Sequence, residues 1–175
     1  MSAPMSSGTP FAMSARILAG SLMGALLFMG VALFYVLPTD EAPPLWVFLA
    51  QVVAGVAVHF FLEAIGYRVQ ALDPSMNDDE AAAAARVRWQ SSMILRFALC
   101  ESVALASIAA AFVLEEGGFL VYAVGALVSL VLRLVHVWPW ARPVGRTAEA
   151  LESAGQPSHL REAFGLSAPG PIQRL

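Results

Sequence analysis

The chain has 175 residues, of which 58% are apolar and only 13% charged, and its mean hydropathy is +0.69; a water-soluble domain usually carries roughly a quarter charged residues. That balance excludes an ordinary soluble fold. The net charge of -3, with a pI near 5.5 and no run of basic residues, also excludes nucleic acid as a partner.

In chain order, residues 1–16 are rich in Ser, Pro, Gly and Ala and read as a disordered lead-in. Four apolar stretches follow, at about 17–37, 45–65, 93–114 and 119–137, each near the ~20 residues that a helix needs to cross the hydrocarbon core. They predict an all-α polytopic membrane protein with four transmembrane helices. The first stretch outlasts a signal-peptide h-region and no small-residue cleavage site follows it before Pro38, so it is expected to stay as an anchor. The middle loop, 66–92, holds a helix start at Asn77 and Glu80 followed by the Ala81 to Ala85 run. Either the third spanning helix begins there, or a separate interfacial helix precedes it with a break near Gln90 to Ser92. The tail, 139–175, offers two short helices, Thr147 to Ala154 ending at Gly155 and Ser158 to Phe164 ending at Gly165. Leu160 and Phe164 share a face of the second. That face suits docking on the membrane surface or a partner, if the tail is not simply weakly ordered.

Every basic residue is an Arg, and their placement predicts topology. Linkers Pro38 to Pro44 and Glu115 to Gly118 carry only acidic charge, Asp40, Glu41, Glu115 and Glu116, and are expected to face outward. Arg16, Arg68, Arg86, Arg88, Arg142, Arg146, Arg161 and Arg174 then mark the inner side, with both termini cytoplasmic in a bacterial plasma membrane. The single Cys100 has no intrachain disulfide partner and suits a small packing position.

Polar residues within the spans are costly and usually face the bundle interior. On the second helix Gln51, Gly55, His59 and Glu63 recur every four residues and share one stripe. The fourth helix carries Tyr122, Gly125, Ser129, Arg133 and His136 on one face. The third carries Arg96, Cys100, Ala104, Ser107 and Ala111, with Glu101 beside them, and the first has a Gly20-x-x-x-Gly24 packing signal. By depth, His59, Glu63, Glu101, Arg133 and His136 fall in the cytoplasmic half of the core, with Arg96 at its inner edge, and Glu101 is expected to pair with Arg133. Such a cluster knits helices together, or forms an ion path with Glu101 as carrier and His59 and Glu63 as relay, or holds haem b or a quinone between His59 and His136. No hydrolase, zinc-protease, C-x-x-C or phosphate-loop motif is present, so neither enzymatic activity nor a bound metal is expected.

The stretch Gln90 to Ser107 resembles the carboxylate helix of the c subunit of rotary ATP synthases, a small-residue helix that carries one ion-binding acid; the resemblance implies that Glu101 is the ion-carrying position. The whole-chain pattern, with Val135-His136-Val137-Trp138-Pro139 and Leu160-Arg161-Glu162-Ala163-Phe164-Gly165-Leu166, is similar to small uncharacterised four-helix membrane proteins of high-GC, actinobacterial-like bacteria. That likeness implies no activity. The soluble segments are too short for a catalytic domain and the helix faces are built for close packing. The expected role is therefore an accessory or scaffolding subunit of a larger plasma-membrane complex, with the lipid bilayer and either protein partners or further copies of the chain around it.

Overall fold

A computed structural model describes residues 10–40 and 42–167; Arg174, Glu41 and the first nine residues lie outside it. Among the described residues the chain is helical throughout. Helix α1 spans Pro10–Phe34, α2 Leu45–Phe61 followed by a π-helical turn Leu62–Gly66, α3 Asp78–Val113, α4 Phe119–His136, α5 Ala141–Leu151 and α6 Leu160–Ala163. The four long helices are apolar enough to cross a membrane.

Several boundaries differ from the expectation, that of α5 among them: it begins at Ala141, with Pro143 in its first turn, and not at Thr147. Helix α1 begins at Pro10, so residues 10–16 are helical where composition suggested an unstructured lead-in. Proline is favoured in a first helical turn, and Ala12 and Ala15 on the new turns are buried. Helix α3 is one uninterrupted element of 36 residues, roughly 54 Å long at 1.5 Å per residue. Of the two readings of the middle loop, the continuous helix is the one that forms. Its start is a reciprocal cap: the Glu80 N–H donates to Asn77 Oδ1 at 3.0 Å, and the Asn77 N–H donates to Glu80 Oε2 at 3.2 Å.

The chain divides into two compact units. One comprises Ala19–Gly66 and Met93–Trp138 and contains the greater part of the four long helices. Its core joins Leu26 and Leu33 of α1, Val47 of α2, Ala104 and Ala111 of α3, and Val121, Tyr122 and Ala126 of α4. Small residues set the helix spacing. A side chain at Gly55 would collide with Val128, and one at Gly125 with the Ser107 hydroxymethyl, so α4 approaches α2 and α3 at these points as closely as backbone allows. Large apolar side chains such as Phe28, Val53, Leu105 and Leu127 point outward instead, which suits a lipid-facing surface.

The other unit takes in Tyr67–Ser92, the first turns of α1 and, among the described residues, 139–167. Its centre is aromatic: Phe11 meets Trp89 edge-on at 5.8 Å between centroids and Phe164 at 5.4 Å, and Trp89 and Phe164 are 4.7 Å apart. Leu160 and Phe164 are therefore buried within this unit, where the sequence suggested an outward docking face or a loose tail. Burying the apolar stripe of so short a helix is what holds it in place. Arg161 ties α5 to α6 through Glu152 at 3.1 Å, Glu149 at 3.2 Å and the Gly145 carbonyl at 3.1 Å. Gly155 and Gly165, both at positive φ (95° and 71°), close the two helical segments as the sequence suggested.

Candidate functional site: a polar seam among the long helices

The stripe on α3 faces inward along its whole length: Arg96, Cys100, Ala104, Ser107 and Ala111 are all buried. The same holds for Tyr122, Gly125, Ser129, Arg133 and His136 on α4. On α2, Gln51 and Gly55 are buried and His59 and Glu63 half-buried. These three faces meet in one seam, along which Gln51, His59, Glu101, Ser129 and Arg133 each find a partner on another helix.

At one end Gln51 Nε2 donates both to Ser107 Oγ at 2.9 Å and to the Val121 carbonyl at 2.7 Å, joining α2, α3 and α4. Ser107 Oγ–H donates in turn to the Val103 carbonyl at 2.8 Å. Further along, Ser129 Oγ–H donates to the Cys100 carbonyl at 2.8 Å, and Tyr122 Oη–H to the Leu26 carbonyl at 2.6 Å. In hydrocarbon these bonds remove donors that would otherwise be stranded.

Arg133 is the hub. It is fully buried and its guanidinium forms an ion pair with Glu101 of α3, donates to the Leu22 carbonyl of α1 at 2.9 Å, and lies 4.6 Å from the centroid of the Phe97 ring. A planar guanidinium with donors on separate edges can reach three elements at once, which an ammonium cannot. The structure thus brings Glu101 and Arg133 together, as their depths suggested. Arg96 lies elsewhere on the seam, buried, with Nη1 3.4 Å from the Gly66 carbonyl at the end of the π turn.

A second cluster forms where α2 and its π turn meet the end of α4. His59 Nδ1 and His136 Nε2 are 2.9 Å apart, and His136 Nδ1 is 3.7 Å from Glu63 Oε1. His136 is completely buried; Glu63 keeps about a quarter of its side chain exposed. The two imidazoles touch, with ring centroids 5.0 Å apart and planes tilted by 53°. Axial ligation of haem by two histidines needs a porphyrin between the rings, so this contact does not fit haem b. His59 also lines a groove of about 750 Å³ between α2 and α4, whose other walls, among them Val56, Phe60 and Val131, are apolar.

Phe97 and the Leu22 and Leu26 carbonyls were not singled out by sequence. Phe97 stands four residues before Glu101 on the same helix face, a spacing that marks it as the neighbour of whatever Glu101 meets. Backbone carbonyls leave no mark in a sequence. No protein-family model matches the chain, and neither do any curated protein or solved structure.

Proposed function

We propose that the chain is a multi-pass protein of a bacterial plasma membrane, with both termini in the cytoplasm, that serves as an accessory or scaffolding subunit of a larger membrane complex. The observation that carries this reading is the way Arg133 is held. One buried cation joins α1, α3 and α4 through Glu101, the Leu22 carbonyl and Phe97. A carboxylate that carries ions must exchange partners as it loads and unloads, whereas Glu101 is committed to a neighbouring guanidinium. The polar seam therefore suits a rigid frame better than a conduit.

The outer face of α1 supports a partner. Gly20 and Gly24 were expected to mark a close helix contact; a side chain at Gly20 would meet Trp138 at 3.9 Å, but one at Gly24 would meet nothing within 4 Å. Phe28 and Leu27 beside it are exposed. A second helix can approach there closely. The Arg distribution supports the orientation.

Purification of the intact protein from its own membrane in a mild detergent, with mass-spectrometric identification of what accompanies it, tests the role. The expected result is a stoichiometric hetero-complex. A homo-oligomer that dissipates a proton gradient when reconstituted in liposomes would instead favour transport.

A further inference from the structure

The contact between His59, Glu63 and His136 has a second chemistry open to it. We propose that these three side chains form a binding site for a divalent transition metal of the zinc type, held between α2 and α4.

The geometry is close to that of a coordination sphere. One potential ligand atom from each residue lies within 4.8 Å of the other two. His59 Nδ1 and His136 Nε2 are 2.9 Å apart. Two imidazole nitrogens at 2.0–2.1 Å from one metal, at bond angles between 90° and 109°, are separated by roughly 2.9–3.4 Å. The spacing that now holds a hydrogen bond is thus also a chelating spacing. Glu63 Oε1, 3.7 Å from the other nitrogen of His136, must swing towards Nε2 for its oxygen to join them at a normal metal–oxygen distance. A side-chain rotation supplies that on a half-buried residue.

The proton inventory agrees. In the neutral pair one facing nitrogen carries a hydrogen and the other accepts it. Coordination by both requires that hydrogen to move to the far nitrogen of its own ring. For His136 the far nitrogen is Nδ1, which then carries the hydrogen. For His59 the far nitrogen is Nε2. No proton need leave the protein.

The donor set selects the metal. Imidazole and carboxylate suit zinc and its neighbours cobalt and nickel, whereas magnesium and calcium favour all-oxygen shells. Three protein ligands leave one tetrahedral position open. The carboxylate offsets part of the cation's charge where the surroundings are apolar. Glu63 sits on the single π-helical turn of the described chain, and such local widening of a helix recurs at functional sites.

The test uses the full chain in mild detergent, with any affinity tag removed and metal stripped by a chelator. Titration with Co2+, read by its visible ligand-field absorption, is followed by displacement with Zn2+. The wild type is expected to bind one equivalent with a tetrahedral-type spectrum that Zn2+ abolishes. Glu63→Gln is expected to weaken binding by at least about tenfold, with His59→Ala weaker still. His159→Ala, at the chain's third histidine, leaves binding unchanged. Imidazole NMR of the wild type gives a second readout that does not depend on variants folding: the His59 and His136 resonances move on adding one equivalent of Zn2+, and that of His159 does not. Absence of saturable binding in the wild type, or equal affinity in all the variants, overturns the proposal.

Discussion

Arg133 shows how one side chain sets the terms for its neighbours. Removing its counter-charge while leaving the cation buried is expected to be expensive: Glu101→Leu should lower stability by about 3–5 kcal/mol, read by unfolding in detergent micelles. The double replacement Glu101→Leu with Arg133→Leu should recover most of that loss, because no uncompensated charge then remains. Equal destabilisation of the single and double variants would mean that packing, and not the pair, holds the helices at this level. Gly125 makes the complementary case, one of space alone. Its missing side chain is where the Ser107 hydroxymethyl lies, so Gly125→Ala is expected to cost about 1–3 kcal/mol by the same measurement.

At the scale of elements, the helices end and begin for local reasons that can be tested one at a time. Asn77→Ala removes the acceptor at the start of α3 and should weaken that end by about 1 kcal/mol, seen as faster amide exchange at Glu80 and Ala81. Just before it, the Ser75 N–H and Oγ–H both donate to Asp73 Oδ1, at 2.9 and 2.8 Å, and hold that carboxyl below its ordinary value of 3.8. A depressed acid stabilises the turn above its ordinary value and releases it as the pH falls through the depressed one. Protection of the Ser75 amide, taken relative to its intrinsic exchange rate at each pH, should therefore fall as the pH drops through the depressed value, and in Asp73→Ala this acid-dependent change should be absent. The long helices and their inward faces were legible because in a span where polarity is costly every polar residue must share one stripe, as Gln51, His59 and Glu63 do. The cap at Asn77 was legible for a related reason, since two side chains satisfy two backbone donors at a fixed spacing. The early start of α1 was not: Ala and Ser near a proline occur in helices and in loose tails alike, and burial of Ala12 together with the packing of the Phe11 ring on Trp89 and Phe164 decides between them. The π turn and the carbonyls that accept from Arg133 and Tyr122 have no side-chain signature at all.

For the molecule as a whole, the proposed orientation makes a direct prediction. A C-terminal fluorescent protein that folds only in the cytoplasm should be bright, while alkaline phosphatase at the same position should be inactive; inserted at Glu116, in the linker between α3 and α4, the phosphatase should be active. The reverse pattern would invert the topology and with it the side on which Glu63 and His136 lie.

The lone thiol gives this architecture a clock. Cys100 is fully buried on α3, and its carbonyl receives Ser129 of α4, so a reagent can reach the sulfur only when that seam opens. In an unmodified chain with one cysteine, the labelling rate measures how often the two helices part. Raising the concentration of reagent separates the opening rate from the opening equilibrium. A helix seam in a membrane can then be timed without introducing a single substitution.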